Sequence, residues 1–119
     1  MERIHRMPND CWNNMTITGT HEEVERFAQN EFQGVPAWAL NIQTKGHEGL
    51  QFRLWSRNGP DVAWLERLLV AYPSLWIKNL WENESGMAGV WVGSKGSGIH
   101  RFEWEDLCVE ERHARFKAA

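Results

Sequence analysis

Five histidines, two cysteines, sixteen acidic residues and one lysine-bearing glycine run are the groups in this 119-residue chain that could do covalent, acid–base or metal chemistry. Their spacing argues against most of it. His5, His21, His47, His100 and His113 contain no pair three or four residues apart, and neither Cys-x-x-Cys nor His-x-x-x-His occurs, so the usual signature of a zinc site is missing. A reactive Cys11 would need exposure and a depressed pKa; lying beside the first apolar strand, it reads better as a buried or cap-forming thiol. Cys11 and Cys108 lie nearly a hundred residues apart, and only three-dimensional proximity of about 7 Å between Cα atoms would let them pair. No Gly-x-Ser-x-Gly elbow is present. Gly93-Ser94-Lys95-Gly96-Ser97-Gly98 lacks the Walker order and precedes strand-like rather than helical residues, so it reads as a turn. Glu22/Glu23 and Glu110/Glu111 sit at helix ends, where they suit solvent. The expectation is a protein that is not an enzyme, with no catalytic residue, no metal ligand and no cofactor.

The unusual feature is aromatic. Eight tryptophans exceed what one small core holds comfortably, and a buried indole N–H wants a partner. Several are therefore expected at the surface, and exposed aromatics with arginine are the residues that interfaces favour. Arg53, Trp55, Trp76, Trp81, Trp91 and Trp104 form the candidate interaction face. The partner expected is an unidentified protein or a second copy of the chain, joined through sheet edges or stacked sheets. The alternative is a single-stranded nucleic acid stacked on sheet aromatics. A net charge of −3 and a pI near 5.9 disfavour it, because backbone-driven nucleic-acid binding needs a basic face.

These residues must be positioned by a small number of elements. The length suits one domain, expected over residues 7–119, with 1–6 a flexible lead. Met15 and Ile17 alternate with Asn14, Thr16 and Thr18 as a half-buried strand closed by Gly19. Thr20 with Glu23 spells a capping box, followed by a helix with Val24, Phe27 and Ala28 inward and a stop at Gly34 and Pro36. Trp38, Leu40 and Ile42 read as a second strand, and Leu50, Phe52 and Leu54 as a third across the Lys45–Gly49 turn. Pro60 suits the first turn of a helix carrying Val62, Leu65, Leu68, Leu69 and Tyr72, terminated by Pro73. Leu75–Glu82, Met87–Val92 and Ile99–Trp104 read as three further strands, with Gly89 marking a bulge or a close backbone approach. Glu105–Lys117 reads as a helix with acidic residues leading basic ones. The order β-α-β-β-α-β with an added hairpin predicts an α+β, ferredoxin-like split β-α-β sandwich: an antiparallel sheet, two helices on one face, an added β-hairpin and a C-terminal helix. No apolar run approaches the ~20 residues of a membrane span or resembles a signal peptide, so the expectation is a cytoplasmic protein without membrane contact.

Met7-Pro8-Asn9, Cys11 and Asn13, running into Met15-Thr16-Ile17-Thr18-Gly19, resemble the opening of the YubB-like proteins, where the usual order is Met-Pro-Asn-Trp-Cys-x-Asn. This chain has Asp10 in place of that tryptophan, and Trp12 just after the cysteine. Phe52-Arg53-Leu54-Trp55-Ser56 followed by Pro60 and the helix closing on Tyr72-Pro73 is similar to a second motif of that family. Glu84-Ser85-Gly86-Met87-Ala88-Gly89 is similar to a third. The resemblance spans Met7 to about Val92. It implies a ferredoxin-like domain and an origin on bacterial plasmids or prophages, and it implies no activity.

Overall fold

The computed structural model describes residues 9–105. Met1–Arg6, Cys108 and, apart from Glu105, the expected C-terminal helix lie outside the described residues. Nine elements follow one another: β1 (Asp10–Thr18), α1 (His21–Glu31), a short 3-10 turn (Ala37–Ala39), β2 (Leu40–Lys45), β3 (Gly49–Arg57), α2 (Val62–Ala71), β4 (Trp76–Asn83), β5 (Met87–Ser94) and β6 (Gly98–Glu105). The protein is α+β. Its strands form one six-stranded sheet in the order β2-β3-β1-β4-β5-β6, with every neighbouring pair antiparallel.

Register sorts the side chains into two faces, because successive strand residues point to opposite sides. Met15 pairs with Phe52 and Asn79, and Ile17 with Leu50 and Ile77. These apolar residues share one face with Val24 and Phe27 from α1 and Leu65, Leu68 and Leu69 from α2, and Trp91 of β5 joins the same core. Phe27 is the hub, its ring lying within 6.4 Å of the rings of Phe32, Phe52, Trp64 and Tyr72. The opposite face carries no helix among the described residues.

The helix ends show how local sequence fixes the packing. Thr20 caps α1 by accepting from the Glu23 amide. The expected capping box is only half made. Glu23 Oε1 accepts instead from the Ser74 amide at 2.7 Å, and Ser74 Oγ accepts from the Thr20 amide. The first turn of α1 is thereby pinned to the loop that follows α2. At α2 the cap is Asp61, which accepts from the Trp64 amide, so Pro60 lies before the helix rather than in its first turn. Trp38, expected in a strand, sits in the 3-10 turn, and strand pairing begins at Leu40. The chain leaves Pro36 in an extended conformation at φ −66° and turns before the ladder starts. Gly89 pairs with Trp81 in unbroken register. Of the two readings offered for it, close approach is the one found: a Cβ there would lie 2.8 Å from the Phe102 carbonyl and from the Trp81 ring.

Candidate functional site

The six residues of the expected interaction face do not form one surface. Trp81 and Trp91 stand on the helix-covered side of the sheet, in register with Asn13 and Asn79, and both are buried, Trp91 to 1% exposure. Their six-membered rings lie against Gly89 and Gly93, where a Cβ would approach ring atoms to 2.8 Å and 2.7 Å. They fill space that the glycines vacate. Arg53, Trp55 and Trp76 fall on the opposite face by register, and the backbone of Trp104 pairs with Ala88. Trp76 sits six residues from the Glu82 that pairs with Trp12, about 20 Å along the strand. It therefore forms no platform with Trp55. The Arg53 guanidinium instead lies 4.5 Å over the Trp12 ring, a cation–π contact that covers both groups.

A different set of residues converges at the β3 end of the molecule. A hollow of about 300 Å³ opens where the C-terminus of α1, the 3-10 turn and the N-terminus of α2 meet β1, β3 and β4. Trp38, Trp55 and Trp64 line it, together with Glu31, Asp61 and the pair Asn13 and Asn79. The volume is at the lower end for small-molecule sites. Trp38 and Trp55 meet edge to face at 5.2 Å. Trp55 Nε1 donates to Asp10 at 2.8 Å and Trp64 Nε1 to Glu31 at 2.9 Å. With these N–H groups tied to carboxylates, both indoles are held as fixed walls.

Glu31 is the organising carboxylate. Oε1 accepts from Trp64 and from Arg67 at 2.7 Å, and Oε2 accepts from the Tyr72 hydroxyl at 2.8 Å. Burial works to raise its pKa, but the hydrogen bonds from Arg67, Trp64 and Tyr72 and the Arg67 charge outweigh it and hold it below the usual carboxylate value. Burial pushes Tyr72 up, and acceptance by Glu31 adds to the rise against an opposing bond from Asn30.

At the base, Asn13 Nδ2 donates to the Leu54 carbonyl at 2.9 Å and to Ser56 Oγ at 2.8 Å. A carbonyl can only accept, so the Asn13 amide has one orientation. Its Oδ1 then faces Asn79 Nδ2, which donates to it at 2.8 Å. Ser56 Oγ passes its own proton to the Gly59 carbonyl. Donors are thus consumed in one direction, from Asn79 towards Gly59. The chain begins on Asn79 Oδ1, a buried acceptor without a partner. Trp91 Nε1, on the residue paired with Asn79, is also buried and unpartnered.

Cys11 is buried within β1. Desolvation pushes its thiol up to about 11, with the Glu82 charge adding to the effect and a Ser56 hydrogen bond opposing it. Burial and the raised pKa disfavour the thiolate at neutral pH. His21 and His47 stack at 3.9 Å, with His21 Nδ1 2.9 Å from the His47 carbonyl oxygen; their separation in sequence hid this pairing. Among the described residues no group of three His, Cys, Asp or Glu could hold a metal ion, and no helix is long and apolar enough to cross a membrane. Comparison with protein-family models, curated proteins and solved structures finds no match.

Proposed function

We propose that the protein is a non-enzymatic protein-interaction module, a ferredoxin-like split β-α-β sandwich extended by the β5–β6 hairpin, that docks through the helix-free face of β4, β5 and β6. The strand order β2-β3-β1-β4, with α1 following β1 and α2 following β3, supports the sandwich. One observation carries the function: Leu80, Val90 and Phe102 stand in register on three adjacent strands of that face. Leu80 is 44% exposed, and Trp76 is partly exposed two pairs away on β4. A contiguous apolar row of this kind is what interaction surfaces use. The partner proposed is a second copy of the chain, because two antiparallel sheet faces stack readily about a two-fold axis. A mobile-element origin, which the resemblance implies, and a cytoplasmic setting belong to the same reading.

Native mass spectrometry and light scattering test it. The expected result is a dimer that Leu80→Asp and Val90→Asp each convert to monomer, with unchanged circular dichroism. A wild-type monomer, or a dimer indifferent to both substitutions, overturns the reading.

A further inference from the structure

The helix-free face of β4, β5 and β6 carries its charges in a pattern that a two-fold axis can use. Register lays this face out in three rows. Leu80, Val90 and Phe102 form the middle row. Lys78, Val92 and His100 form the row on one side, and Glu82 and Ala88, beside the Trp104 backbone, the row on the other. Lys78 and Glu82 thus share one strand and one face, each two residues from Leu80, or about 7 Å along the strand. Apart from His100, they are the titratable side chains that these three strands place on this face by register. Lys78 makes no ion pair among the described residues.

When two sheets stack face to face, the two-fold axis lies between them and parallel to both. Its direction decides which charges meet. An axis along the strands through Val90 lays β4 over β6 of the partner and brings Lys78 to the partner's His100. Diagonal axes through Val90 cross the strands at right angles and bring either Lys78 to the partner's Lys78 or Glu82 to the partner's Glu82. An axis across the strands, along the middle row, lays β4 antiparallel on β4 of the partner and sets Lys78 against the partner's Glu82. Of these directions, only the last joins opposite charges, and symmetry makes it do so twice. It also lays the larger Val92 against the smaller side chain of the partner's Ala88. Stacked sheets sit about 10 Å apart and turn by about 30°, offsets that lysine and glutamate side chains together span. The line bisecting Lys78 and Glu82 is fixed by charge, and the row of Leu80, Val90 and Phe102 by apolar contact. The two lines coincide.

Resting on the reading of this face as a dimer surface, we propose that it recognises a second copy in one orientation. The two-fold axis runs across the strands along the row of Leu80, Val90 and Phe102, and two reciprocal ion pairs join Lys78 to the partner's Glu82. Flanking charges of this kind set register and partner choice more than affinity.

The test is charge exchange in the full chain, read by native mass spectrometry with one variant 15N-labelled so that homodimers and heterodimers differ in mass. Lys78→Glu alone places like charges at both pairs, and so does Glu82→Lys alone; each homodimer is expected to be weakened about tenfold or more. Mixing the two variants places opposite charges at both pairs, so heterodimers should exceed the half of all dimers that random pairing gives. The double variant Lys78→Glu, Glu82→Lys restores both pairs within one sequence and should dimerise as the wild type does. High salt should shrink the bias. Glu82 is exposed and Lys78 half-buried, so all three variants should fold, with circular dichroism as the check. Random pairing in the mixture, single-variant homodimers as tight as the wild type, or a double variant that stays monomeric overturns this orientation and leaves the dimer standing. A wild-type monomer overturns the dimer and the orientation with it.

Discussion

Tryptophan does two different jobs at the two ends of this sheet. Trp81 and Trp91, at the β4–β5 end, lie flat against glycines and close the space around them. Trp55 and Trp64, with Trp38 beside them at the β3 end, stand around a space that stays open. The difference lies in their neighbours. Over a glycine, a large ring takes the volume that a Cβ would occupy. Tied by its N–H to a carboxylate, the ring is held where the hydrogen bond places it, whether or not the space beside it is filled. The two ends should therefore respond to mutation differently: the glycine-backed rings with a large loss of stability, the rings around the hollow with a smaller one.

The largest effect is expected at Trp91. Truncation to alanine removes a ring 1% exposed in the centre of the core, and should cost about 3–5 kcal/mol in urea unfolding. A cost under about 1 kcal/mol would mean that the ring does not fill its site and would dissolve the contrast. Gly93→Ala attacks the same pairing from the other side. Its Cβ would meet the Trp91 ring at 2.7 Å and 2.9 Å and Leu69 at 3.1 Å, an overpacking expected to cost about 1–3 kcal/mol. If it is neutral, the ring has room to give and the glycine is not what seats it.

Much of this frame was legible in the chain. The alternation of Met15 and Ile17, and of Leu50 and Phe52, carried the strand faces correctly because both strands have one wet side. Thr20 announced its helix correctly because its hydroxyl makes a bond local in sequence. Legibility failed where a residue's partner lay far along the chain. Glu23 spells a capping box with Thr20, but the Ser74 amide takes its carboxylate. Counting the tryptophans puts Trp81 and Trp91 on the surface, whereas phasing them does not. They share the odd-numbered phase of Ile77 and Asn79, and the glycines spaced two residues either side of Trp91 were the signal that the ring lies inward. The hollow had no comparable sign. Its residues come from six elements and the loops between them, and Asn13 and Asn79 occupy inward positions that an alternation rule reserves for apolar side chains.

The tether of the Trp64 wall can be loosened chemically. Glu31 has a folded-state pKa held below its ordinary value, so its contribution to stability is full above the unfolded-state value, near 4.3. That contribution is lost as the pH falls through the folded-state value. Glu31→Gln should lower stability at neutral pH by about 1 kcal/mol, since the partner Arg67 is half exposed. It should also flatten the fall in Tm below about pH 5. A variant whose Tm tracks the wild type across that range would show that the carboxylate charge does not hold the wall. If Tm still falls but the Trp64 indole signal stays in place, the ring is seated by Phe27 packing rather than by the tether.

The smallest stability effect is expected at Trp38, and it is the sharpest discriminator. The ring is as large as that of Trp91, so a rule based on residue size alone predicts a comparable loss on truncation. Exposure predicts otherwise: with most of its surface in water and its main aromatic contact the 5.2 Å edge-to-face meeting with Trp55, Trp38→Ala should cost no more than about 1 kcal/mol. The same substitution opens one side of the hollow, so its consequence should appear in the line of the Trp55 indole resonance. A loss near that of Trp91→Ala would place Trp38 among the space-filling rings and make the hollow a packing defect. A near-silent unfolding curve would separate the two uses of tryptophan in a single variant, because a ring that fills a core cannot be removed without unfolding cost, whereas a ring that only walls an open hollow can.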